Sequence, residues 1–93
     1  MMEATIFYMT GCPYCSKAKQ ALAELLTENP DYGQVAINWI NETTEPEKAE
    51  GYDYYYVPTV FFGKKKLYEA HPGDDAAFIK ESLRKALDEI IGG

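Results

Sequence analysis

Cysteine and histidine are scarce in this chain. It has two cysteines and one histidine among 93 residues. One copy therefore falls short of the four ligands a structural zinc site takes, unless carboxylates or a second chain complete the set. Basic residues are outnumbered, 9 against 15 acids, for a formal net charge of −6. Phosphate binding needs the opposite balance, so no nucleic-acid partner is expected. Long apolar runs are missing as well. None approaches the roughly 18 residues that cross a bilayer, so no membrane association is expected. The opening MMEATIFYMTG lacks the basic start and long apolar core of a signal peptide. A cytoplasmic location follows as the expectation, and thiols there are kept reduced, which disfavours a permanent structural disulfide. Repeats, low-complexity tracts and linkers are absent too. Residues 1–93 read as one domain near the small end of the usual range, expected to be a monomer.

What the chain does have is 46% apolar residues, enough for a core, arranged with clear periods. ATIFYM (4–9) is a short run, apolar on both faces, as a central strand is. Ala18, Ala21, Leu22, Leu25 and Leu26 keep helical spacing. Pro13 suits the first turn of that helix, and Pro30 ends it. QVAINWI (34–40) alternates as a second strand. Asn41 to Glu50 reads as a short polar helix. YYVPTVFF (55–62) is a third strand, GKKK (63–66) a turn with solvated lysines, and KLYEAH (66–71) a fourth strand. Asp74 or Asp75 caps a last helix with the stripe Ile79, Leu83, Ala86, Leu87, Ile90 and Ile91. The order is β-α-β-α-β-β-α: an α/β fold with a mixed four-stranded sheet flanked by helices.

The chemistry concentrates in TGCPYCS (10–16). Cys12 falls at the helix start. Cys15 lies one turn in, at the head of the apolar stripe. The reading makes the two sulfurs unequal, with Cys12 exposed at the helix tip and Cys15 shielded. Unpaired N–H groups and the positive end of the helix stabilise a thiolate at Cys12. Cys12 can then attack a disulfide, and Cys15 can resolve the adduct. Lys17 and Lys19, on the polar face, are either ordinary solvated lysines or a source of positive potential near the thiols. A metal site, a static crosslink and two unrelated core cysteines are the competing readings. The position between a first strand and a first helix favours the redox couple.

CPYCSKAKQAL (12–22) closely resembles the active-site helix of the glutaredoxins, within the thioredoxin superfamily. Val57-Pro58 resembles the cis proline that faces the redox disulfide there. The resemblance implies a thioredoxin-like fold and a thiol-disulfide oxidoreductase acting on protein or glutathione mixed disulfides. Cys12 would be the attacking thiol and Cys15 the resolving one. Tyr14 would flank bound glutathione, Val57 would pair its backbone with the glutathione peptide beside Pro58, and Asp74 would help hold the γ-glutamyl end. Partners would be disulfide-containing proteins, with no bound cofactor and glutathione as electron donor.

Three places depart from the family pattern. Met9 stands where a Lys or Arg usually meets a glutathione carboxylate. Tyr56 stands where Thr usually precedes the cis proline by two residues. HPGDDA (71–76) offers only Gly73 where Gly-Gly is usual. The Pro58-Thr59 pair looks more like thioredoxin. The alternatives are therefore a thioredoxin-type reductase fed by a flavin reductase, and a non-catalytic metal or iron–sulfur binding module.

Overall fold

The computed structural model describes residues 2–92. In chain order the elements are β1 (Met2–Tyr8), α1 (Pro13–Glu28), a 3₁₀ segment (Pro30–Gln34), β2 (Val35–Asn41), a second 3₁₀ segment (Pro46–Ala49), β3 (Thr59–Phe62), β4 (Lys65–Glu69) and α2 (Ala76–Gly92). The sheet order is β2-β1-β3-β4. β1 runs parallel to β2, with Ile6 opposite Trp39, and antiparallel to β3, with Ile6 opposite Val60. β1 is central, which explains why its run is apolar on both faces.

The two faces are covered differently. Ala4, Ile6, Val35 and Val60 pack with Ala18, Ala21 and Leu25 of α1 and with Ile79, Leu83, Ala86, Leu87 and Ile90 of α2. Both long helices thus share one face, and their apolar stripes meet over the sheet. Phe7, Ile40 and Phe61 form a separate cluster with Val57 and both cysteines. Its cover is aromatic: the Phe7 ring stacks on Tyr54 at 5.0 Å and meets Tyr52 edge-on at 4.8 Å. The sheet is mixed, four-stranded and flanked by helices as expected, both long ones on the first face, and tyrosines do the work of a helix on the second.

The expected helix over 41–50 is corrected to turns and the short 3₁₀ segment. Asn41 starts one turn, its Oδ1 accepting the Thr43 N–H and its carbonyl the Glu45 N–H, each at 2.9 Å. Pro46 stops it there: it has no N–H and disfavours helical geometry at Glu45, which sits at φ −131°, ψ 56°. Gly51, at φ +86°, then turns the chain in a conformation that suits glycine. The third strand is shorter than expected, starting at Thr59 instead of residue 55. Upstream of it, the N–H groups of Tyr55 and Tyr56 both go to the Glu69 carboxylate at 2.5 and 2.8 Å. They leave no ladder to form. Asp75 is the cap of α2, its Oδ1 accepting the Phe78 N–H at 2.8 Å.

Candidate active site

Cys12 is the N-cap of α1, with Pro13 in the first turn. Pro13 has no N–H to lose there, so the chain turns into the helix without an unsatisfied donor at that position. The Cys15 N–H donates to Cys12 Sγ at 3.3 Å, and the Cys12 thiol faces the Val57 carbonyl at 3.7 Å. The peptide between Val57 and Pro58 is cis. The structure therefore joins four of the expected site residues, Cys12, Cys15, Val57 and Pro58, at one end of the sheet. Both cysteines are free thiols.

One expectation fails. Cys12 was read as exposed at the helix tip, yet only 5% of its surface is accessible, close to the 3% of Cys15. Packing against Phe7 and Val57 covers it. The thiols are reached through a cleft of about 320 Å³ lined by Tyr8, Met9, Thr10, Gly11, both cysteines, Ser16 and Lys19. Access therefore does not distinguish the two thiols. Burial, and then contact with Cys12, pushes the Cys15 thiol from its ordinary 9.0 up to about 12, while the Met9 backbone and Lys19 pull the other way. A larger apolar groove of about 580 Å³ runs along the flank of α1 and β2, past Leu22, Leu26 and Ile37. It contains neither thiol.

Tyr14 and Asp74 sit at a second rim. The Tyr14 hydroxyl accepts the Gly73 N–H at 2.9 Å, which ties the first turn of α1 to the loop before α2. Asp74 Oδ2 accepts from the Tyr68 hydroxyl at 2.8 Å and from the His71 N–H at 3.0 Å. Burial, reinforced by that carboxylate, pushes the Tyr68 phenol up. Asp74 thus organises its own loop. Met9 is 40% exposed at the cleft mouth and Tyr55 is 87% exposed. The Tyr56 ring lies 5.9 Å from that of His71.

Glu69 escaped the sequence reading. Its carboxylate binds the two tyrosine N–H groups and Lys66 Nζ, the latter at 2.8 Å. Burial alone would raise its pKa. The Lys66 ammonium and the two N–H groups outweigh that and hold it at about 2. It anchors the loop that delivers Val57 to Cys12. Partners 13 and 14 residues away leave no local signal in the sequence. Among the described residues, no cluster of three or more His, Cys, Asp or Glu side chains could hold a metal ion.

A family model described as glutaredoxin matches residues 4–67. The chain belongs to the glutaredoxin family. Two relatives frame this member from both sides. Glutaredoxin 1 of Escherichia coli is 31% identical over 86 residues, covering 88% of this chain and 98% of its own. A thioredoxin of Methanocaldococcus jannaschii is 30% identical over 90 residues, covering 97% of this chain and 92% of its own. The fold is that of thioredoxin. Thioredoxin 1 of Thermosipho africanus superposes with a TM-score of 0.56 at 18% identity, over 99% of this chain and all of its own. A designed protein superposes with a TM-score of 0.60 at 25% identity, over 96% of this chain and 75% of its own. This glutaredoxin-family member is a dithiol–disulfide oxidoreductase, with its two cysteines in the C-x-x-C arrangement that such chemistry uses.

Proposed function

We propose that the protein reduces protein or glutathione mixed disulfides, with Cys12 as the attacking thiol, Cys15 as the resolving thiol and glutathione as the electron donor. The observation that carries the assignment is the 3.3 Å contact from the Cys15 N–H to Cys12 Sγ at the helix N-terminus. An N–H donor and the positive helix end both favour a thiolate at that sulfur. Cys15 keeps its proton at neutral pH because it is buried. In the forward cycle the Cys12 thiolate attacks a disulfide R–S–S–R′, forming Cys12–S–S–R and releasing R′S⁻, which takes a proton. Cys15 then loses its proton and attacks Cys12 Sγ. The second thiolate leaves, and the Cys12–Cys15 disulfide holds the two-electron oxidation. Two molecules of glutathione reverse the oxidation, ending as oxidised glutathione. In this reading Tyr14, Val57, Pro58 and Asp74 border the bound substrate. The Val57 carbonyl facing the Cys12 thiol supports that placement for Val57 and Pro58. Such a cycle suits a reducing compartment such as the cytoplasm.

A second reading is thioredoxin-type, with a flavin reductase as donor. Met9 favours it, since an exposed thioether at the cleft mouth offers no charge to a glutathione carboxylate. The near full-length thioredoxin relative points the same way. Incubating the oxidised protein with millimolar reduced glutathione, or with a thioredoxin reductase and NADPH, separates the two. Thiol recovery with glutathione is the expected outcome. Recovery only with the reductase selects the second reading.

A further inference from the structure

The cycle just proposed leaves one step without a helper. Cys15 must become a thiolate to resolve the adduct, and its surroundings oppose that. The titratable groups of the cluster that holds it are Cys12 and Tyr14 at the head of α1, Tyr8 from β1, and Tyr52 and Tyr54 from the aromatic cover. Tyr54 donates its hydroxyl to the Glu42 carboxylate at 2.6 Å, and Tyr52 carries the Lys64 ammonium over its ring at 3.8 Å. Among the described residues, no carboxylate lines the thiol cleft to accept the Cys15 proton.

One cation does line it. Lys19 lies four residues after Cys15 on α1, so the two side chains fall on neighbouring turns of one face. Lys19 is an exposed residue of the helix, and its Nζ sits 4.6 Å from the Tyr8 ring centroid and 5.4 Å from that of Trp39. Those two rings are themselves in edge-on contact at 5.8 Å. Tyr8 and Trp39 are diagonal neighbours across the parallel β1–β2 pair, where Ile6 faces Trp39 and Tyr8 faces Asn41. The sheet thus builds a two-ring seat, and ring faces attract an ammonium there. Lys17, two residues earlier, goes elsewhere, over the Tyr14 ring.

We propose that Lys19, seated on Tyr8 and Trp39, is a positioning residue that places a fixed positive charge beside Cys15 and promotes the resolving step. This rests on the assignment of Cys15 as the resolving thiol. Lys19 itself exchanges no proton and no electron. The Cys15 proton leaves to solvent, and the ammonium stabilises the negative charge left on Sγ while the Cys12–S–S–R bond breaks. Attack by Cys12 on the first disulfide does not need it, because the helix N-terminus already serves that sulfur. The direction in which Lys19 pulls the Cys15 thiol, downward against burial, agrees with this role.

The probe is 5,5′-dithiobis(2-nitrobenzoate) mixed with the reduced protein in a stopped-flow instrument. Attack by Cys12 releases a first thionitrobenzoate, and resolution by Cys15 releases a second. Lys19→Gln should leave the first phase within about twofold of wild type and slow the second by about five- to tenfold near pH 7, the size expected of a partly screened charge at short range. The deficit should hold while pH stays well below the Cys15 pKa of about 12, because both thiolate fractions then rise in parallel. Lys19→Arg should restore most of the second phase. Lys85→Gln, an equal loss of charge at an exposed site on α2, should change neither phase. Equal slowing of both phases or an unchanged second phase would overturn the proposal. A Cys15→Ser variant that still shows the second phase would instead overturn the resolving role of Cys15. Thermal unfolding of each variant, unchanged within a few degrees, keeps a folding defect apart from these outcomes.

Discussion

Cys15 and Glu69 show how single residues here carry opposite pH dependences. Burial makes the Cys15 proton harder to remove in the folded protein than in the unfolded chain. The folded pKa is the raised one, so the associated stability is complete below pH 9. It is lost as pH climbs toward about 12. The reduced protein should therefore lose stability over that interval, and Cys15→Ala should flatten the loss in urea titrations taken at successive pH values. Glu69 runs the other way. Its carboxyl is held near 2 by Lys66 and two backbone N–H groups, so its contribution is complete above its ordinary 4.5 and disappears as pH falls toward 2. Glu69→Gln should flatten the acid limb of the stability profile and cost about 1–3 kcal/mol at neutral pH, the range for breaking a charge-assisted hydrogen bond. The cysteine pair and the proline were legible one residue at a time, since their spacing and order are local. Glu69 was not, because its role exists only once β4 lies beside the loop before Pro58.

At the scale of elements, helices were read well and loops poorly. The stripe from Ile79 to Ile90 is buried as its spacing implied, and Ala18, Ala21 and Leu25 likewise. Leu26 is instead exposed in the groove beside β2, because α1 is covered only where α2 and the sheet reach it. Ile79, with none of its surface accessible, lies where α2 meets this core. Ile79→Ala should cost about 2–5 kcal/mol by the lost burial and the cavity left behind, measurable by chemical denaturation. The segment from Asn41 to Tyr56 misled the reading because Pro46 interrupts it and because Tyr52 and Tyr54 pack on Phe7 and Phe61 from irregular backbone. Those aromatics are replaceable only at a cost. Tyr54→Phe keeps the stack on Phe7 but strips Glu42 of its phenol partner, and should destabilise by about 1 kcal/mol.

Over the whole molecule, one sheet brings three distant stretches to a single end: residues 12–15, residues 57–58 and the loop around Gly73. The hydrogen bond from the Gly73 N–H to the Tyr14 hydroxyl spans 59 positions. No pattern in the sequence announces it, whereas the parallel β1–β2 pair follows from general rules of chain connection. The same assembly hides Cys12, which local reasoning had left exposed. Access is then no guide to the division of labour between the thiols. The most direct test of that division is intact-mass analysis of two variants, Cys15→Ser and Cys12→Ser, each incubated with oxidised glutathione near pH 7. The account predicts a stable single-glutathione adduct on Cys15→Ser and almost none on Cys12→Ser over the same time. An adduct that forms equally fast on both, or only on Cys12→Ser, would contradict it.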